Sequence, residues 1–545
     1  MRHLRVTAWL LSAGLAWGAT SAPAAVWPWS AEVPGVVSSE TDGPPRAFLW
    51  IPPDCAHVRA VIVGQHNMLE EGLLEHPLLR AALAEAGLAA VWVTPAFNMF
   101  FRFDQGAGDQ FEAMMRALAE TSGYAELATA PVVPIGHSAM ASYPYHFAAW
   151  RPGRTLAAVS VKGTWPDFRD VNSPPWRDED LAGVPLLFMN GEYEDAQGRA
   201  GRAADFRARH PQSPLTMFVD AGGGHFDFHD RLADYLGRYL RTVAAQRLGP
   251  DGALKPVDPT RQGWLAERWH EDGPPRAQPA PVGAYTGDVR QAFWFPDEAL
   301  ARAAEQHAAA ARGKQAQLLG YRQDGVVVPQ NPKLHAQVEL KFRPLADGVT
   351  FRVEGVFLDT VPEGRPERWS GLPKGAPIGH AAGGGPVAVE RICGPVRKLG
   401  PDTFALSFDR LGFNNRKRSN EIWLMATHPG DAQHKRAVQQ AVLHFPRRNE
   451  QGAEQVITFA LPDTVPAGTP TLPLRATSSA GEPVSFYVRE GPAEVVGDQL
   501  VFAPIPPQAK YPVAVTVVAW QWGRSIEPRL KTAAPVMRTL RLQRR

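Results

Sequence analysis

Between Pro45 and Leu248, short apolar β-branched runs alternate with segments whose apolar residues recur at helical spacing. "RAVIVG" (59–64), "AAVWVTP" (89–95), "APVVPIG" (130–136), "LAAVSVKG" (156–163), "VPLLFMNG" (184–191) and "PLTMFVDAG" (214–222) show little polar alternation. Continuous apolar runs of this length predict strands buried on both faces. "LLRAALAEAG" (78–87) predicts a helix ending at Gly87, a residue suited to a left-handed C-terminus. "DQFEAMMRALAETSG" places Phe111, Met114, Met115 and Leu118 on one helical face, and Asp109 with Glu112 gives a capping-box-like start. "SAMASYPYHFAAW" predicts a further helix despite Pro144. A last helix carries Leu232, Tyr235, Leu236, Tyr239, Leu240 and Val243 on one face. Strands alternating with amphipathic helices predict an α/β fold over 25–250, a mostly parallel sheet with helices on both faces.

The pattern changes after Leu248. Residues 251–295 are dense in Pro and Gly and predict a linker or extended surface segment. A lone helical pattern follows at 296–315. "LHAQVELKF" (334–342), "GVTFRVEGVFL" (348–358) and "QQAVLHFP" from Gln439 then predict a β-rich domain over 296–450, of a type the pattern does not name. From 455 to 545 short strands recur at roughly the 8–12-residue spacing of a β-sandwich, with Val513, Val515 and Val517 alternating. Four such regions suit a chain of 545 residues, which is too long for one core.

Composition narrows the function. A net charge of +2, with no basic stripe, gives no footprint for nucleic acid. Met1–Arg5 is a short positive start, Val6–Ala19 is apolar, and Ala22-Pro23-Ala24 offers a small-residue cleavage site. This is the pattern of a signal peptide over 1–24, so the mature chain is expected to be secreted or periplasmic. No later run reaches about 18 uninterrupted apolar residues, so no membrane span is expected in the mature chain. The two cysteines, Cys55 and Cys393, fall in different regions and are expected to stay unpaired.

The candidate chemistry lies where predicted strands end. Ser138 follows "VVPIG", Glu192-Tyr193-Glu194-Asp195 follows "VPLLFMNG", and His225 follows "LTMFVDAGGG". A serine hydroxyl needs an imidazole to take its proton, and that imidazole needs a carboxylate to fix its tautomer. In an open parallel sheet such groups converge at the carboxyl ends of the strands. Taken singly, each has a plainer explanation. Ser138 suits any tight turn, Asp195 suits a helix cap, and His229 competes with His225. Taken in order, each after a strand, they point to nucleophilic catalysis.

On these residues, 45–248 resembles the α/β-hydrolase superfamily, whose nucleophile sits in Gly-x-Ser-x-Gly on a strand-to-helix elbow. The resemblance implies Ser138 as nucleophile, His225 as base and Glu194 as acid, with Asp195 as runner-up. It also implies that Ala139 gives one oxyanion N–H and Asn67 or Met68 the other. Two positions depart from the pattern: Met140 replaces the second elbow glycine and Asn67 the oxyanion-loop glycine. His137 is expected to shape the elbow and is also a substrate-binding candidate, and His66 is expected to orient its loop. The segment between the strands at 156–163 and 184–191 is too short for a large helical cap, so an open site is expected. Trp165, Phe168, Trp176 and Phe101 are candidates for an aromatic platform against a sugar or acyl group, or for packing the loops onto the body. The C-terminal region resembles bacterial Ig-like domains.

These features imply a secreted serine carboxylesterase on small-molecule or polysaccharide esters, calling for no metal or organic cofactor. Two alternatives stay open: a prolyl-oligopeptidase-like peptidase, and an inert binder of glycans or surfaces on a hydrolase fold. The sequence leaves the oligomeric state open.

Overall fold

The computed structural model describes residues 26–163, 174–250, 252–271, 273–333 and 337–544. The expected signal peptide, Trp165 and Phe168 lie outside the described residues. Eight strands form the principal sheet: β1 (Trp29–Glu32), β2 (Arg46–Trp50), β3 (Ala60–Gln65), β4 (Leu88–Thr94), β5 (Val132–His137), β6 (Ala158–Val161), β7 (Leu186–Gly191) and β8 (Leu215–Asp220). Their order is β1-β2-β4-β3-β5-β6-β7-β8. β2 runs antiparallel to both its neighbours, β1 and β4, and all later neighbours run parallel. This is the mostly parallel α/β-hydrolase sheet.

The pleat explains the continuous apolar runs. Ala60 and Ile62 of β3 and Leu88, Ala90 and Trp92 of β4 face one core. Val61, Val63, Ala89, Val91 and Val93 face the other. The first face is covered by α1 (Glu70–Glu75), α2 (Pro77–Ala86) and α6 (Asp230–Arg247), and the second by α3 (Ala107–Ser122). Helix α3 starts two residues before Asp109, after Gly106, and no side chain caps it. The expected capping box is therefore not formed, and Glu112 instead pairs with Arg154 at 2.6 Å. α4 (Tyr143–Trp150) tolerates Pro144 because that residue sits in its first turn, where no N–H partner is lost.

The later regions are packed onto this body. Within 251–295, Trp264–Glu267, Ala280–Pro281 and Ala292–Phe295 form a three-stranded sheet, so the Pro/Gly-rich stretch is not only extended surface. Its strands span only two to four residues, too few to reveal a period in the sequence. Phe293, Phe295 and Leu300 join the first core beside β8. A five-stranded sheet and two three-stranded sheets make up the β-rich region that follows. The C-terminal strands, including Val513–Trp520 and Val536–Gln543, share the second core with α3. Cys55 and Cys393 are both buried and unpaired.

Close approaches fix the loops at the rim of the sheet. A Cβ on Gly136 would lie 1.9 Å from the Met140 carbonyl oxygen. Here it is Gly136 and the Met140 backbone that touch, which leaves position 140 free to carry a side chain. Gly136→Ala is expected to destabilise the protein by about 3 kcal/mol, the upper part of the overpacking range. A thermal melt of the variant checks this.

Candidate active site

Three loops at the carboxyl ends of β5, β7 and β8 bring the candidate residues together. Ser138 follows β5 with φ +52°, a strained backbone for a residue with a Cβ. The turn lifts its half-buried hydroxyl above the sheet. Ser138 Oγ lies 2.7 Å from His225 Nε2, and His225 Nδ1 lies 2.6 Å from Glu194 Oε2. A carboxylate accepts, so Nδ1 carries the proton and donates to Glu194. Nε2 is then the acceptor that faces the serine hydroxyl.

The three acidic side chains after β7 have separate partners. Glu192 accepts from the Gly222 N–H at 2.7 Å and from Lys435 Nζ at 2.6 Å. Asp195 opens α5 (Ala196–Arg209) and lies 3.5 Å from Arg202, with its side chain 56% exposed. Glu194 is buried and meets His225, Arg199 at 3.4 Å and Arg365 at 3.3 Å. Burial alone would raise its carboxyl. The hydrogen bond from His225, with the two guanidinium groups, outweighs burial and holds it at about 2. Gly191 allows this packing, since a Cβ there would lie 2.6 Å from the Gly224 carbonyl oxygen.

A buried ion cluster braces the histidine loop. Lys162 Nζ donates to Asp227 Oδ1 at 2.7 Å, to the Asp227 carbonyl at 2.6 Å and to Asp220 Oδ2 at 3.2 Å. Asp227 also accepts from the Gly224 N–H at 2.8 Å and from Arg436 at 2.7 Å. Burial would raise Asp220, but His229 and Lys162 hold it well below the usual carboxylate range. Asp220, Asp227 and His229 have metal-ligand spacing, yet the cation seated among them is the Lys162 ammonium. Lys162→Met removes the ammonium that two buried carboxylates share and is expected to cost about 3 kcal/mol. Chemical denaturation of the variant measures that loss.

His137, a substrate-binding candidate in the sequence, is wholly buried behind the elbow and is not in the pocket wall. Burial, with the neighbouring His225, holds it well below the usual histidine range and hence neutral. Its Nε2–H donates to the His225 carbonyl at 2.9 Å, while Asn67 Nδ2 donates to the His137 carbonyl at 3.0 Å. His66 lies 2.6 Å from Thr94 Oγ1 and anchors its loop.

The oxyanion loop departs from expectation. The N–H groups of Asn67 and Met68 both donate to Glu70 Oε2 at 3.0 Å, and His137 N–H donates to Glu70 Oε1 at 2.7 Å. Glu70 is fully buried, and burial pushes its carboxyl up to about 7 in spite of those bonds. The second donor expected from Asn67 or Met68 is thus already engaged. In the sequence Glu70 looks like an ordinary first-turn acid of α1, so nothing there signalled it.

A pocket of about 390 Å³ opens over Ser138, Ala139 and His225. Phe101 is not in its wall. It is wholly buried among Phe111, Tyr143, Phe147 and Trp150. Trp176 packs on the first core and donates Nε1–H to His146 Nδ1 at 2.6 Å, also away from the pocket. Both rings hold loops onto the body, the role that apolar side area favours when a core neighbour is within reach.

The wall is completed by a segment the sequence did not single out. The short helix Arg365–Ser370 of the β-rich region brings Arg365 and Arg368 to the mouth. Trp369 pins it there, donating to the Tyr193 carbonyl at 3.1 Å and packing on the Tyr193 ring at 5.2 Å. The same region reaches the other loops. Arg418 donates to the Asn67 carbonyl at 2.6 Å, and Lys435 and Arg436 hold Glu192 and Asp227.

A strand-to-helix elbow bearing a serine hydrogen-bonded to a histidine, on this sheet, is the architecture of α/β-hydrolases. Comparisons with known proteins give similar folds only. The fluorophosphonate-binding serine hydrolase F of Staphylococcus aureus is 13% identical, with 40% of this chain and 97% of that chain covered and a TM-score of 0.27. A putative dienelactone hydrolase of Klebsiella pneumoniae is 17% identical over 40% of this chain and 98% of its own, with a TM-score of 0.28. A ferulic acid esterase is 11% identical over 40% and 97%, with a TM-score of 0.29. No family model and no curated protein matches the sequence.

Proposed function

We propose that the chain is a secreted serine hydrolase, a carboxylesterase acting on extracellular, carbohydrate-linked esters. The observation that carries this reading is the unbroken hydrogen-bonded line from Ser138 Oγ through His225 to Glu194. Ser138 attacks the ester carbonyl as His225 Nε2 takes its proton. Glu194 stabilises the resulting imidazolium. The Ala139 N–H receives the developing oxyanion. The protonated imidazole then gives its proton to the departing alcohol, leaving an acyl-enzyme that water hydrolyses by the same steps. The arginines at the pocket mouth, Arg365 and Arg368, support a hydrophilic alcohol portion over a long acyl chain.

One observation favours a second reading, a non-hydrolytic glycan or surface binder. Glu70 already occupies the N–H groups that would complete the oxyanion site. Purified protein assayed with 4-nitrophenyl acetate, then with acetylated, methylated and feruloylated polysaccharides, separates the two. Turnover above a Ser138→Ala control supports the esterase. Saturable glycan binding by folded protein that turns over none of these esters supports the binder.

A further inference from the structure

The described walls of the pocket hold more positive charge than their acids use. Arg199 and Arg365 share Glu194, and Arg202 takes Asp195. Lys162 is consumed by Asp220 and Asp227. Arg368 remains. It is exposed, lines the pocket, and has no hydrogen bond or ion pair among the described residues. It is one helical turn from Arg365 on a helix that Trp369 fastens to the hydrolase body, so its backbone is fixed. Ser142 and Tyr193 also line the pocket, with their hydroxyls buried in the wall itself.

We infer that the pocket takes an ester carried on a carboxylate-bearing sugar, a uronate unit, and that Arg368 of the β-rich region holds that carboxylate. This rests on the esterase reading and names its substrate class. A planar guanidinium matches a carboxylate through two parallel N–H donors, a fit a lysine would not give. The β-rich region then acts as a specificity element on the hydrolase body.

The test is a binding one, so it does not depend on turnover. Full-length Ser138→Ala protein is titrated with a partially acetylated oligogalacturonate, with its carboxyl-reduced neutral counterpart, and with a sulfated version of that neutral chain. The uronate is expected to bind about 10-fold more tightly than the neutral chain, the size of one charge-assisted hydrogen bond. Added salt should shrink that ratio. Arg368→Gln in the same background should bring the ratio close to one, with Arg368→Lys recovering only part of it. Equal affinity for charged and neutral chains overturns the inference, as does a ratio that Arg368→Gln leaves unchanged. Tighter binding of the sulfated chain than of the uronate overturns the carboxylate assignment. Failure of the esterase reading itself would show separately, as a wild type that turns over no ester.

Discussion

Ser138→Ala is expected to lower kcat for ester hydrolysis by roughly 10⁴–10⁶-fold while leaving the fold intact. Among the described residues the hydroxyl makes one hydrogen bond, to His225, and the residue is half-buried in a turn that already accepts a Cβ at φ +52°. Alanine has the same Cβ, so the change adds no backbone strain. It removes the atom that would form the acyl bond and little else. Steady-state kinetics on 4-nitrophenyl acetate, with a thermal melt of the same sample, checks both halves. A variant that melts like wild type and retains more than about a hundredth of its activity would place the nucleophile elsewhere.

The second large effect concerns the acid. Glu194→Gln is expected to cost roughly 10⁴-fold in kcat, the scale set by losing the group that fixes the imidazole tautomer. An amide in that position offers N–H as well as oxygen to His225 Nδ1 and carries no charge to stabilise the imidazolium. Asp195→Asn, on an exposed side chain paired with Arg202, should change kcat by roughly 2-fold at most. The reverse order would move the acid to Asp195. A pH effect on stability accompanies the first change. The carboxyl of Glu194 is held at about 2 in the folded protein against an ordinary value of 4.5. The folded value is the lower one, so its stabilising contribution is complete above the unfolded value. That contribution fades as the pH falls from about 4.5 towards 2. In Glu194→Gln this part of the melting-temperature profile should flatten, while the catalytic loss persists at neutral pH.

The sheet was legible because strands buried on both faces leave uninterrupted apolar runs, as in "AAVWVTP" around β4. The positions of Ser138, Glu194 and His225 were legible because each follows such a run. What the sequence hid depends on contacts between distant segments. Phe101 looks exposed in "FNMFFRFDQG", yet four aromatic rings from α3 and α4 enclose it. Glu70 looks like a helix-start acid, but three N–H groups, two from its own loop and one from the end of β5, converge on it. Arg365 and Arg368 lie in "GRPERWSG", a polar turn-like string with no periodicity. Their meaning comes only from Trp369 meeting Tyr193 far away in the chain. The strands at 264–267 and 292–295 were masked by the prolines and glycines between them.

Covalent capture tests the central claim most directly. Folded wild-type protein is treated with a fluorophosphonate and digested, and the adduct is mapped by mass spectrometry. The expected result is a single modified peptide with the phosphonate on Ser138, absent from Ser138→Ala and strongly reduced in His225→Gln. An adduct on another serine, such as Ser142 four residues on, or no adduct on protein that melts cooperatively, would contradict the account.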